Sequence, residues 1–222
     1  MQSLLTVTSL ADSYDLTDLD TVKLELGIGD SSQDVQLVRL IHQVSNAIST
    51  LCDQVFAEET VSEVFRLNSG SVGRWRSWYR NEDSIEKLIL RRRPISSVIS
   101  VIEDGITVDS GEYECDFGAG FLFRLASSDF RTSWIANKIT VNYVSGYLLL
   151  DGLPYDLEKA CLLWIKSLWA QNRRKDLSVK VEDVPDLMRR EFFDSSKLFA
   201  MGSEPPPEVM VLLNPYIEAA IR

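Results

Sequence analysis

The sequence predicts an α+β protein: a small helical bundle built from N-terminal and C-terminal helices, with an antiparallel β-sheet inserted between them. Three observations predict it. Apolar residues recur at three- and four-residue spacing up to about residue 55 and again from Pro154. Between them, from about residue 60 to 148, the pattern shortens to runs rich in branched and aromatic residues. Gly and Asp-Gly turn signals separate those runs. A chain of 222 residues with 45% apolar content is long enough to bury a sizeable core.

Residues 1–16 read as a flexible polar arm. Thr17 or Asp18 then caps a short helix through Leu26, with Leu19, Val22 and Leu26 on one face and Gly27 as its stop. Ser31 opens a longer helix whose residues Val35, Val38, Ile41, Val44, Ile48 and Leu51 form an amphipathic stripe. The runs VSEVFRL, EKLILRR, SSVISVIED, EYECDF, FLFRL and KITVNYV are the expected strands, with hairpin turns at Asp104-Gly105 and around Gly118–Gly120.

Helical spacing returns at Pro154, which suits a first helical turn, and Leu157, Ala160, Cys161, Trp164, Ile165 and Leu168 make the next stripe. Residues 177–204 carry no clear period. Pro205–Pro207 stiffen the approach to a last helix, expected over 208–221 with a kink at Pro215. The organisation expected is thus an arm (1–16), a helical core (17–55 with 150–176), a β insert (56–149) with a long hairpin loop at 68–84, and a C-terminal extension ending in a docking helix (177–222).

The formal charge of −10 is unevenly distributed. Residues 1–65 hold 11 acidic and 2 basic side chains, whereas the remainder holds 22 and 21. The N-terminal segment should therefore repel phosphate. Cys52, Cys115 and Cys161 lie far apart with no CxxC pair, so neither a disulfide framework nor a zinc site is expected. The opening MQSLLTVTSLADSYD lacks a basic region and a sustained apolar run, so no signal peptide is expected. No stretch approaches the ~20 apolar residues of a membrane helix.

Catalytic signals are weak. The only histidine, His42, flanks the second helical stripe with no nucleophile or carboxylate nominated beside it, and reads as a boundary residue. Glu112, Glu114 and Asp116 alternate along one strand, which allows a calcium-type oxygen cluster. The simpler reading places Tyr113, Cys115 and Phe117 in the core and the acids in water. Gly27-Ile28-Gly29 follows a helix and not a strand, so it fails the dinucleotide-binding context. Trp164 and Trp169 read as core. No catalytic residue, cofactor or metal ligand is assigned.

One stretch stands out. GSVGRWRSWYR interleaves Arg74, Arg76 and Arg80 with Trp75, Trp78 and Tyr79, the pairing of charge and rings that single-strand binders use. Exposed Trp and Arg are also enriched at protein–protein hot spots. On an acidic chain the protein contact is the favoured reading. Arg91, Arg92 and Arg93, and Arg173-Arg174-Lys175, are most simply solvated ends of elements, or partners for the acidic segment of a neighbouring subunit.

The order of residues is more telling than any motif. LTDLDTVKLELGI, DVQLVRLIHQVSNAISTLCDQVF, RRRPISSVISVIEDG, Trp134, ITVNYVSGY, DLEKACLLWIKSLWAQNRR and PPPEVMVLLNPY follow one another in a pattern that resembles the head–tail connector (adaptor) proteins of tailed double-stranded DNA phages and related gene-transfer particles. The matching positions include Leu19, Val22, Cys52, Pro94, Asp104, Gly105, Trp134, Tyr143, Gly146, Pro154, Val209, Leu213, Pro215 and Tyr216. By type these hold turns and packing contacts.

The resemblance implies a structural virion protein at the head–tail junction, assembled in the bacterial host cytoplasm, and no enzyme. It implies a cyclic, head-to-tail homo-oligomer, about twelve-fold, beneath the portal protein. It further implies a tail-side connector or stopper as second partner, and DNA passing through without sequence-specific binding. The C-terminal part, with Val209, Leu212, Leu213 and Tyr216, would dock on the portal. The loop at 68–84 departs from the family's short turn, so its contacts do not carry over. A soluble interaction module unrelated to phages is the alternative, followed by an enzyme with a carboxylate or metal site.

Overall fold

The computed structural model describes residues 2–66, 85–126, 130–149, 152–173, 181–184, 188–191 and 205–217. The long loop expected at 68–84 lies outside them. The chain divides into two compact units, one of Met1–Ser13 with Gln54–Leu149 and one of Tyr14–Asp53 with Leu150–Arg222. Among the described residues the elements are mixed helices and antiparallel strands, so the α+β class holds.

The helical unit begins with α1 (Leu19–Leu26). Asp18 caps it: its Oδ1 accepts the Thr21 N–H at 2.6 Å. Gly27 ends it in the left-handed region (φ 67°), where its N–H reaches back to the Leu24 and Lys23 carbonyls. Helix α2 (Asp34–Cys52) starts three residues later than expected. Ser31 and Ser32 are held instead in a turn, where Asp30 accepts from the Ser32 N–H and hydroxyl.

The buried face of α2 is Leu37, Leu40, Ile41, Val44, Ser45, Ile48 and Cys52, while Val35 is exposed. The apolar stripe is therefore real but rotated from the one expected at its N-terminal end. Helix α3 (Tyr155–Asn172) follows Pro154 and buries Leu157, Ala160, Cys161, Leu162, Trp164, Ile165 and Trp169. It packs against α1, α2 and a last helix, α4 (Pro207–Leu213). Each fully buried aliphatic side chain in this set contributes about 1.5–3 kcal/mol. Both tryptophans expected in the core are in it.

The last helix is shorter than expected. It ends at Leu213 and passes into a 3-10 turn, Asn214–Tyr216, so Pro215 stops the helix where a kink was expected.

In the other unit, strands β1 (Gln2–Ser9), β2 (Glu59–Arg66), β4 (Ile95–Glu103), β5 (Ile106–Val108) and β9 (Lys138–Ser145) form a five-stranded sheet in the order β1-β2-β9-β4-β5. Strands β3 (Lys87–Ile89), β6 (Tyr113–Asp116), β7 (Phe121–Leu125) and β8 (Arg131–Thr132) form a second sheet around β7. One sheet was expected and there are two, because β3 pairs with β7 and not with β2. The two sheets bury one shared core that includes Val61, Phe65, Leu88, Val101, Leu122, Trp134, Val141 and Tyr143.

The polar arm is a further correction. Residues 2–9 are β1, paired antiparallel with β2 from Gln2↔Arg66 to Ser9↔Thr60. Leu5 and Val7 pack on the shared core, whereas Leu4, Thr6 and Thr8 face outward. A half-buried strand needs an apolar residue only at every second position, so its Ser and Thr made it read as loose chain.

The Asp104-Gly105 hairpin forms as expected, with both residues at positive φ. Asp104 does more than turn: its carboxylate accepts the N–H groups of Lys138 (2.8 Å) and Asn137 (3.1 Å), fixing the start of β9. Strands β10 (Val181–Val184) and β11 (Met188–Glu191) form an antiparallel pair within the stretch whose period was unclear.

Candidate assembly interface

The residues singled out for an interface fall into three groups. Arg74, Trp75, Arg76, Trp78, Tyr79 and Arg80 lie outside the described residues. Arg91–Arg93 and the α4 group are described, and both are more deeply engaged in the chain's own fold than solvated positions would be.

Arg91–Arg93 follow β3 and cross the inner side of β2, which carries Glu59 and Glu63 on its buried face. Glu63 is fully buried. Its Oε2 accepts the Arg91 N–H at 3.1 Å and the Tyr143 hydroxyl at 3.0 Å. The Tyr143 oxygen in turn accepts the Arg92 N–H at 3.3 Å. Burial, and after it the adjacent Glu63 carboxylate, push the Tyr143 phenol far above its ordinary pKa, so it is a permanent donor.

The Arg92 guanidinium lies 3.6 Å from the Glu59 carboxylate, and the Arg93 carbonyl accepts from the Gln54 side chain. Of the three, only Arg91 has an exposed side chain. The run therefore closes a buried polar network, which local sequence could not reveal because Glu59 and Glu63 come from β2 and Tyr143 from β9, both far from the run in sequence. Removing the phenolic hydroxyl (Tyr143→Phe) takes one of two donors from a buried carboxylate. A loss of about 1–3 kcal/mol in urea unfolding is expected.

On α4, Val209 and Leu213 are fully buried in the chain's own helical unit. Leu212 is half-buried, and Val211 is the apolar residue the helix exposes. The Tyr216 hydroxyl donates to Asp156 Oδ1 at 2.6 Å, tying the 3-10 turn to the start of α3. Val209, Leu213 and Tyr216 thus hold α4 to α3, and the outward face is marked by Val211 and Glu208.

The positions weighed for chemistry are occupied structurally. Glu114 pairs with Arg131 at 2.9 Å, and Glu112 with Arg124 at 3.3 Å, while Asp116 accepts the Ala119 N–H in the turn before β7. Arg124 also meets Glu103 at 3.3 Å and so links β7 to β4. Phe117, expected in the core, is half exposed in that turn. Among the described residues no group of three His, Cys, Asp or Glu side chains comes together as a metal site.

His42 is exposed, and its Nδ1 lies 2.6 Å from Asp15 Oδ1, a carboxylate 27 residues earlier that spacing alone did not nominate. The pair ties the segment before α1 to α2. One turn on, the buried Ser45 accepts the Leu16 N–H at 3.0 Å, reinforcing the same junction. Burial raises the thiols of Cys52 and Cys115 to about 11 and that of Cys161 to about 12, so all three stay protonated at neutral pH. No helix among the described residues is long and apolar enough to cross a membrane.

Comparison with known proteins adds identity to this geometry. Residues 16–73 match the family described as phage gp6-like head-tail connector protein. No curated relative matches the sequence. Among solved structures, the chain is similar to a chain in the virion of a native gene transfer agent particle, with TM-score 0.56 and 12% identity. It is also similar to a chain in the neck of an empty particle of that kind, computed with C6 symmetry, with TM-score 0.54 and 12% identity. Both similarities cover 99% of this chain and 97% of the other. The resemblance read from the ordered residue pattern has support at both levels: residues 16–73 match the model of the phage gp6-like head-tail connector family, and the fold is similar over nearly its whole length to chains of gene-transfer-agent particles.

Proposed function

We propose that the protein is a structural head–tail connector: a subunit of a ring beneath the portal of a phage or phage-like particle, joining the DNA-filled head to the tail. The observation that carries this reading is the family match of the segment containing α1 and α2, set within a fold similar to particle chains over its whole length. The chemistry of the described surface supports it. Arg92, Arg124 and Arg131, His42 and the carboxylates Glu103, Glu112 and Glu114 are engaged in internal pairs, and the three thiols stay protonated at neutral pH.

The ring is a homo-oligomer of about twelve copies, and its head-to-tail geometry uses two different surfaces of each subunit. The portal is one partner and a tail-side stopper the other. The excess of acidic residues in the segment up to residue 65 repels a passing duplex, which lets DNA slide through without binding. The loop at 68–84 grips a neighbouring subunit, the portal or the tail-side protein through its Trp and Arg residues, and Arg91 and the outer side of α4 flank the docking region.

Negative-stain imaging and native mass spectrometry of the chain, alone and with purified portal, test the reading. Closed rings are expected, and a persistent monomer that ignores portal would defeat it. If the loop serves assembly as proposed, Trp75→Ala with Trp78→Ala leaves the melting temperature within about 2 °C, as changes away from the core do, while weakening ring formation or head–tail joining at least about tenfold, the loss of ~1.4 kcal/mol per hot-spot residue being ordinary. If the pair instead assembles normally and loses only DNA passage, the loop contacts nucleic acid.

A further inference from the structure

Two parts of the fold are unfinished, and they complement each other. The first is the edge of the five-stranded sheet. Strand β1 runs for eight residues and, among the described residues, pairs on one side only, with β2. Its other side presents a row of backbone N–H and C=O groups. Edges of this length are normally guarded by lysine, proline, inward charge or an early bulge. Gln2–Ser9 has no charged residue and no proline, its one irregularity falls at the far end between Val7 and Ser9, and Leu4 is largely exposed. The opposite edge of the same sheet is guarded differently: β5 is three residues long, and β4 carries two register shifts.

The second is the pair β10–β11, in register from Val181↔Glu191 to Val184↔Met188. It is a two-stranded sheet by itself, with no third strand among the described residues. An isolated two-stranded ribbon is marginal in water and gains stability by joining a larger sheet. The ribbon belongs to the helical unit and β1 to the β unit, so the chain offers an edge from one unit and an unsupported ribbon from the other.

Resting on the connector reading above, we infer that each copy lays its β10–β11 ribbon along β1 of the next copy, extending that copy's sheet from five strands to seven. The occupant of the edge is thus a second copy of this chain. Strand addition supplies main-chain hydrogen bonds over the four residues of the ribbon strand. The charge-free β1 sets no like charge opposite the acidic VEDV or the mixed MRRE strand. The contact is heterologous, with a donor surface and an acceptor surface on every subunit, which is what closure into a ring requires. It also continues an existing sheet, so no new core has to form.

Two full-length variants separate donor from acceptor. Leu4→Lys with Thr6→Lys places guarding charges along β1, and Glu182→Pro with Arg190→Pro removes ladder donors from the ribbon. Circular dichroism melts close to wild type establish that both are folded. At a concentration where wild type forms rings, native mass spectrometry should find each variant alone as monomer. An equimolar mixture should give a discrete head-to-tail dimer and no ring, since one intact junction remains between the two variants. Rings from either variant alone, or a mixture that stays monomeric while wild type assembles, would overturn the inference and leave the connector reading standing. A wild type that forms no ring, alone or with portal, removes both.

Discussion

Gly146→Ala is expected to be among the most damaging single substitutions in the β unit, lowering stability by about 2–5 kcal/mol as strain and overpacking add. Gly146 directly follows β9 at φ 102°, a region L residues rarely adopt. Its N–H donates to the Pro94 carbonyl at 2.9 Å, and its carbonyl accepts the Ser96 hydroxyl at 3.1 Å. On the other side, Tyr147 N–H donates to the Phe56 carbonyl at 2.7 Å.

The chain is therefore clamped between two backbone segments. A Cβ on residue 146 would come within 2.2 Å of the Ala57 carbonyl oxygen and 2.9 Å of that of Phe56. Those are main-chain atoms, and no rotamer change relieves them. Gly105 supplies the control: it also has positive φ (93°), yet nothing lies within 4 Å of its would-be Cβ. Gly105→Ala should cost only the conformational term, about 1–2 kcal/mol. Differential scanning calorimetry of both variants checks this. For a unit of this size each kcal/mol moves Tm by about 4–8 °C. Equal shifts for the two would mean that close approach at Gly146 contributes nothing.

Trp134→Ala should be comparably severe, at about 3–5 kcal/mol for loss of a large core aromatic. Trp134 is fully buried and belongs to the core shared by the two sheets. Its Nε1–H donates to the Leu122 carbonyl at 3.2 Å, and the Arg124 guanidinium lies 6.0 Å from its ring. Its backbone pairs with Ile85, with N–H to carbonyl distances of 2.7 and 3.3 Å. The ring thus fills the core and gives a polar edge to β7, while its main chain anchors the residue where the chain rejoins β3. Trp134→Phe keeps most of the apolar volume and loses the hydrogen bond, so a smaller loss of about 1–2 kcal/mol is expected. Urea unfolding followed by near-ultraviolet circular dichroism distinguishes them, and an alanine variant as stable as the phenylalanine one would contradict the packing argument.

The helices and most strands were legible because their signals are local. The caps at Asp18 and Gly27, the Asp104-Gly105 turn, and the stripes of α2 and α3 need only residues within a few positions of one another. Interface residues were less legible. Val209 and Leu213 carry the apolar spacing of a docking helix, but that spacing does not say whether the docking surface is another protein or the chain's own α3. Arg91–Arg93 read as a solvated run because their acceptors, Glu59 and Glu63, come from a strand about 30 residues away. The Asp15–His42 pair was hidden for the same reason.

By itself, the sequence determined the α+β class, the places where the chain turns, and the resemblance to head–tail connectors, all of which depend on residue order and short-range spacing. Only the tertiary structure decided that residues 2–9 are an edge strand, that the β insert is two sheets on one core, and that the arginine run closes a buried network. Strand pairing and the partners of buried charges are long-range choices. A period-two pattern fixes which face of a strand is buried, and it is silent on which strand lies beside it.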